Sequence, residues 1–323
     1  MDDVRESCLF PERDKVALYE ATTPGTCPVT WATANEERLR ERLLSAGACL
    51  LRGFDAPDSS VFARFVRVFD EELGEYNYGS TPRHKEGDVY TSTEYPASEL
   101  IPLHNEMSYT SSWPLRIWFY CAVAAPVGGE TPLCDSHAVY LRIPEPVRQR
   151  FERHGVRYVR NYRPGLGISW EAAFGTDDHA VVERFCHRRD IAFEWLEDGA
   201  LRTSETCQAV ALHPVTGTPL WMNQAHLFHV SNLKPDTRRA LLDLMPERDL
   251  PRNAYLGDGS PIQETDLDAI RDAYAAETLA FPWQQGDLLM VDNMALAHGR
   301  MSFEGPRKIL VAMTASFDNL ATV

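Results

Sequence analysis

Two segments near the start of the chain repeat their apolar positions at helical spacing. Residues 35–47 (NEERLRERLLSAG) close on a glycine, and residues 59–73 (SSVFARFVRVFDEEL) open on serines able to cap a first turn. Between them the short apolar run ACLLRGF (48–54) predicts a buried strand. From about 88 to 135 the pattern turns extended. Its centre, LRIWFYCAVAA (115–125), is rich in aromatic and apolar residues and is bounded by Pro114 and by Pro126 with Gly128 and Gly129. Helical spacing returns near 176–190, 236–245 and 265–277, and GDLLMVDN (286–293) and RKILVAMTASF (307–317) read as strands. Strands on both sides of a helical middle predict an α+β protein with an antiparallel β-core and helical decoration.

No internal repeat, low-complexity tract or Gly/Ser/Pro linker divides the sequence, so residues 1–323 read as one domain with helical insertions between about 140 and 280. A hydrophobic content of 44% with 10% aromatics suits a well-packed soluble globule. The formal net charge of −15 repels nucleic-acid phosphates and anionic membranes, and neither is expected as a partner. Seven cysteines, odd in number, scattered and without a C-x-x-C unit, read as reduced thiols of a cytoplasmic protein. The start MDDVRESCLF lacks the features of a signal peptide, and no run approaches the roughly 18 apolar residues of a membrane span.

Within the extended region, LHNEMSYT (103–110) sets His104 two positions before Glu106. On a strand such residues point to one face, which brings two metal ligands together without special backbone geometry. A non-haem iron centre needs two histidines and one carboxylate with open positions opposite. The candidate third ligand is His298, in DNMALAHGRMSFEGPRKILVAM (292–313), nine residues before Arg307. Taken alone, an H-x-E pair arises readily by chance in a chain with ten histidines.

The joint pattern is more specific. HNE, then GGET (128–131), then H-G-R-x-x-F-x-G-x-R (298–307) resembles, in order and approximate spacing, the TauD/TfdA family of Fe(II)- and 2-oxoglutarate-dependent dioxygenases, over most of the chain from about residue 48. The stretches STPR (80–83), TSTEYP (91–96), MNQAHLFH (222–229) and LPRNAYLGDGS (250–260) resemble the SyrP-like subgroup of natural-product biosynthesis. The resemblance implies a double-stranded β-helix (jelly-roll) core, with Fe(II) held by His104, Glu106 and His298. It further implies 2-oxoglutarate as co-substrate, its distal carboxylate on Arg307 with Thr131 beside it. An arginine fork suits that task, because it stays charged and donates two parallel N–H bonds to a carboxylate. Arg83 and Asn223 are the expected substrate-binding residues.

Two departures from the family pattern stand out. The carboxylate ligand is Glu106 where many members carry Asp, and Val311 occupies the place of a second arginine facing the metal-proximal carboxylate, for which Arg300 is a substitute candidate. Related halogenases vacate the carboxylate position for a halide, so Glu106 argues against halogenation. The implied reaction uses O2 to hydroxylate an unactivated C–H bond of an amino acid or amino-acid-derived substrate. Desaturation, cyclisation and epoxidation are its variants, and a non-catalytic binding protein or another metal-dependent β-helix enzyme are the alternatives.

His226 and His229 lack acidic or cysteine partners at zinc spacing, and no second metal is expected there. Tyr162 and Trp170 read as core aromatics or as cover for the site. Residues 142–163 carry seven arginines against two acids, which reads either as a solvated face or as a docking patch for an acidic peptidyl carrier protein.

Overall fold

The computed structural model describes residues 3–73, 85–92, 95–163, 165–197 and 199–319. The helix Glu36–Ala46 ends where Gly47 takes a left-handed conformation, φ 74°. Glycine is needed there for packing too, since a Cβ would stand 2.7 Å from Leu296 Cγ. That turn feeds the buried strand Ala48–Arg52. The next helix, Ser59–Arg67, is capped by the Asp58 carboxylate, which accepts from the N–H groups of Ser60 and Val61. It stops short of the expected residue 73. Asp70 leaves the helical path to accept from the Thr314 hydroxyl and pair with Arg116 at 3.3 Å.

An eight-stranded sheet runs in the order Val4–Phe10, Lys15–Ala21, Ala48–Arg52, Leu288–Asp292, Ser112–Val123, Lys308–Asp318, Val89–Thr91, Lys85–Glu86. All its pairs are antiparallel except Lys15–Ala21 with Ala48–Arg52. Alternation along Ser112–Val123 sends Trp118 and Tyr120 to the side of the two early helices, where they meet Phe62, Phe65 and Phe69. Ile117, Phe119 and Cys121 face the other way. Both faces are covered, which is why the sequence shows an unbroken apolar run there rather than alternation. Pro114, expected to bound this strand, lies inside it.

Against the second face packs a four-stranded antiparallel sheet in the order Thr278–Leu279, Leu133–Asp135, Leu296–Arg300, Ile101–His104. Leu133 and Leu296 of this sheet join Phe119, Leu289, Val291, Ile309 and Val311 of the large one in a common core. The arrangement is a mixed α and β structure whose centre is a sandwich of two sheets.

The region from 140 to 280 departs from the expectation of helical insertions. Helices are present, including Glu145–His154, His179–Arg188, Pro235–Leu244 and Glu264–Glu277. They accompany a further antiparallel sheet in the order Ala192–Trp195, Leu201–Cys207, Val156–Tyr162, Arg252–Leu256. Its strands carry arginines, threonines and a buried Glu205, which hides their β character from a hydrophobicity reading. Tyr162 and Trp170 are core residues there, packed with Val182 and Leu201.

Most of the arginine run is paired within the fold, while Arg142 and Arg153 are exposed. Arg142 binds Glu277, Arg150 binds Asp266 at 2.5 Å, Arg157 donates to the Gly257 carbonyl at 2.6 Å and Arg148 to the Tyr140 carbonyl at 3.2 Å. Arg160 is buried, and Arg163 lies 3.9 Å from Asp249. All seven cysteines are free thiols, and among the described residues no helix is long and apolar enough to cross a membrane.

Candidate metal and co-substrate site

The smaller sheet sets the site. His298 and His104 are partners across adjacent antiparallel strands, with ring centroids 4.7 Å apart. The strand carrying His104 ends at that residue, so Glu106 stands on the following turn and not on the strand that its spacing suggested. Met107 there adopts a left-handed φ of 58°, a costly conformation for a non-glycine residue that the surroundings must enforce. They do so chiefly through Asn293. Its Oδ1 accepts the Glu106 N–H at 2.7 Å, while Nδ2 donates to the Glu106 carbonyl at 3.1 Å and the Pro114 carbonyl at 2.8 Å. Asn105 adds a second tie, donating to the Asn293 carbonyl at 2.7 Å.

The turn brings the Glu106 carboxylate within 3.8 Å of His298 Nε2. One ligand atom from each of His104, Glu106 and His298 lies within 4.8 Å of the others, the sole such group of three among the described residues. His104 Nδ1 donates to the Pro102 carbonyl at 2.8 Å, which fixes the tautomer with a lone pair on Nε2. Phe119 packs edge-on against His298 at 5.3 Å and helps keep the donor set dry. Two imidazoles and a carboxylate, converging from a buried sheet end, fit a divalent first-row metal such as Fe(II).

His104 and His298 also line a narrow cavity that reaches between the sheets to Thr131, Arg300, Arg307 and Val311. Arg307 donates through Nε to the Gly129 carbonyl at 2.8 Å, and among the described residues its two terminal nitrogens have no hydrogen-bond partner. A Cβ on Gly129 would come within 3.0 Å of Arg307 Cδ, so the glycine makes room for this side chain. Burial, and secondarily the neighbouring Arg300, lower the Arg307 pKa to about 10, and it stays charged at neutral pH. Thr131 accepts from Trp283 Nε1 at 3.1 Å, which leaves its own hydroxyl proton to donate. The pair thus fits one carboxylate of a dianionic co-substrate.

Arg300 does not substitute for the missing second arginine. Its terminal nitrogens donate to the carbonyls of Tyr95, Pro96 and Glu99, anchoring that loop. Val311 lines the cavity as a buried apolar wall.

On the other side of the donor set opens a cavity of about 470 Å³ bordered by His104, Glu106, Tyr109, Gln224 and Arg252. Asn223, expected to bind substrate, is not part of it. Its carboxamide donates to the Ala209 carbonyl and accepts from the Ala225 N–H, so its role is to shape the turn that presents Gln224. Arg83 lies outside the described residues. His226 and His229 serve structure: His226 Nε2 donates to the Leu103 carbonyl, and His229 Nδ1 meets Ser231. Spacing did not reveal Asn293, Gln224 or Arg252, because each reaches the site through a turn or sheet pairing that has no periodic signature.

The family description "Taurine catabolism dioxygenase TauD, TfdA family" matches residues 20–314. Dapdiamide synthesis protein DdaC of Enterobacter agglomerans is 41% identical over 274 residues, covering 84% of this chain and 83% of that one. A clavaminate synthase-like protein of Arabidopsis thaliana is 32% identical over 284 residues, covering 84% and 82%. Among solved structures PvcB, from Pseudomonas aeruginosa, is described as an Fe, alpha-ketoglutarate dependent oxygenase from an isonitrile synthetic pathway. It superposes with a TM-score of 0.57 at 18% identity, covering 98% of this chain and 95% of that one.

Proposed function

The chain belongs to the TauD, TfdA family of dioxygenases, and from that premise we propose a residue-level account of its iron- and 2-oxoglutarate-dependent oxygenase activity. The observation that carries it is a two-histidine-one-carboxylate donor set whose histidines line the same cavity as Arg307 and Thr131.

His104, Glu106 and His298 hold Fe(II), and Arg307 with Thr131 holds the distal carboxylate of 2-oxoglutarate. Fe(II), when bound, activates O2 and couples oxidative decarboxylation of 2-oxoglutarate to oxidation of the substrate. Glu106 remains a ligand throughout, since Asn293 grips its backbone on both sides. Arg307 orients the co-substrate along the cavity, and Phe119 and Val311 keep water from the chelating end. The substrate occupies the opposite cavity beside His104 and Glu106, where Gln224 and Arg252 face it. Positioning the C–H bond is the protein's main contribution there, because misplacement by an ångström redirects or stalls the oxidation.

The core is a double-stranded β-helix in this reading, formed by the two packed sheets. The substrate is an amino acid or amino-acid derivative and hydroxylation the outcome, in secondary-metabolite biosynthesis. The printed roles of DdaC and PvcB support that setting. The inward pairing of residues 142–163 favours a free substrate over one delivered on an acidic carrier protein. The test is to supply Fe(II), O2 and 2-oxoglutarate and measure succinate. Succinate formation in the native protein, lost in His298→Ala, is the expected result; equal formation in both proteins contradicts the assignment.

A further inference from the structure

Arg252 and Arg160 are direct partners across two antiparallel strands, so their side chains leave the sheet on the same face. Like charges in that position repel, and a sheet built for stability alone does not place them there. Arg160 has the buried carboxylate of Glu205 nearby to balance it. Arg252 has no such neighbour: among the described residues no hydrogen bond or ion pair engages its guanidinium. Its guanidinium lies over an aromatic face, Phe228, at 5.2 Å, and Arg160 approaches the same ring at 5.4 Å and Tyr109 at 4.5 Å.

Arg252 borders the 470 Å³ cavity that also contains His104 and Glu106. Its side chain is exposed, yet its pKa is lowered, by desolvation first and by Arg160 second. The cavity reconciles the two facts: water reaches the guanidinium by way of it, while protein surrounds the rest. The other exposed charges at the rim, Lys234 and Glu99, neutralise each other at 2.7 Å. Apart from Glu106, which belongs to the metal-ligand set, the charge left facing the cavity is therefore positive, and it sits on a planar fork held over an aromatic shelf.

We infer that Arg252 is the specificity-determining residue that binds a free carboxylate of the substrate, so that the enzyme takes acids and discriminates against their amides. The inference rests on the oxygenase reading and deepens it. A planar fork matches the two oxygens of a carboxylate. An anion seated there relieves the repulsion between Arg252 and Arg160 and anchors one end of the substrate while the remainder extends toward His104 and Glu106. Neutralising Arg252 removes the anchor and the repulsion together, so Arg252→Gln is expected to weaken substrate binding without lowering the melting temperature of the ligand-free protein.

The experiment is a thermal-shift titration of protein loaded with Mn(II) and 2-oxoglutarate. The probes are the twenty common L-amino acids, the matched amino-acid amides, and taurine as a sulfonate. The expected result is that at least one acid stabilises the native protein and that its amide binds roughly 10- to 100-fold more weakly, the range for a lost charge-assisted hydrogen-bond pair. Arg252→Gln loses that preference, and Arg252→Lys recovers part of it. An acid and amide of equal affinity overturn the inference, as does a preference that survives in Arg252→Gln, a response to taurine alone, or no response to any acid. The shift caused by 2-oxoglutarate itself, which depends on Arg307, is read separately. Its absence in the native protein counts against the oxygenase reading, whereas its presence with no acid preference counts only against Arg252.

Discussion

His298 faces His104 directly across two antiparallel strands, and Glu106 reaches the same point from the turn that follows His104. The sheet pairing fixes the two imidazoles, while the carboxylate depends on a turn held by side chains. The donor set therefore has a rigid part and a part that can be loosened selectively.

Loosening it is the first prediction. Asn293 is fully buried and satisfies three backbone groups. Leaving such groups unpaired costs about 1–3 kcal/mol each before relaxation. Asn293→Ala is expected to lose ~2–4 kcal/mol of stability in urea unfolding and to bind Fe(II) roughly 10- to 100-fold more weakly, as outer-shell substitutions do. Unchanged metal affinity in a folded variant contradicts the clamp.

Metal addition should stabilise the native protein. A divalent ion at 100 times its dissociation constant adds about 2.7 kcal/mol by mass action. Differential scanning calorimetry with and without Mn(II) is expected to show that gain, and His298→Ala to lack it.

Arg307 makes a separable prediction. Arg307→Gln removes a part-buried charge that lines the cavity, and is expected to weaken 2-oxoglutarate binding roughly 10- to 100-fold while leaving Mn(II) affinity within about twofold. Isothermal titration with each ligand distinguishes the two effects. A matched loss of both affinities points to a general collapse of the site instead.

His226 gives a pH dependence. Burial first, and Arg271 among its neighbours, lower its pKa from 6.5 to about 3 against the opposing hydrogen bond to Leu103. The folded state thus keeps His226 neutral where the unfolded chain takes up a proton. This contribution to stability is complete above pH 6.5 and is lost as the pH falls towards 3, by at most ~1.4 kcal/mol per pH unit for one group. Urea midpoints measured between pH 7 and pH 5 should fall less steeply in His226→Gln than in the native protein.

The sequence made the ends of the fold legible and obscured its middle. ACLLR, LLMVD and the run through Trp118 are strands buried on both faces, and their apolar density announces them. VRYVRNY and LRTSETC form an equally regular sheet, but arginines, threonine and glutamate occupy inward positions there. The same blindness hid the internal pairing of the arginine run, since pairs such as Arg142 with Glu277 join residues far apart in the chain. At the site, His104, Glu106, His298, Thr131 and Arg307 share one chemistry-bearing pattern, and the fold brings all five to connected cavities. Asn223 illustrates the opposite case. A carboxamide beside a predicted pocket looks like a ligand contact, yet backbone groups at 2.9 and 3.1 Å claim both its ends. Arg252 was hidden because its meaning lies in a cross-strand partner, Arg160, almost a hundred residues earlier.

The central claim is that His104, Glu106 and His298 hold Fe(II) and that 2-oxoglutarate reaches from it along the adjoining cavity to Arg307. Anaerobic titration of Fe(II)-loaded protein with 2-oxoglutarate, followed by visible absorption, tests it most directly. The predicted result is a saturable metal-to-ligand charge-transfer band in the native protein, absent in His298→Ala and shifted to higher 2-oxoglutarate concentration in Arg307→Gln. A folded, iron-loaded native protein that develops no band contradicts the account.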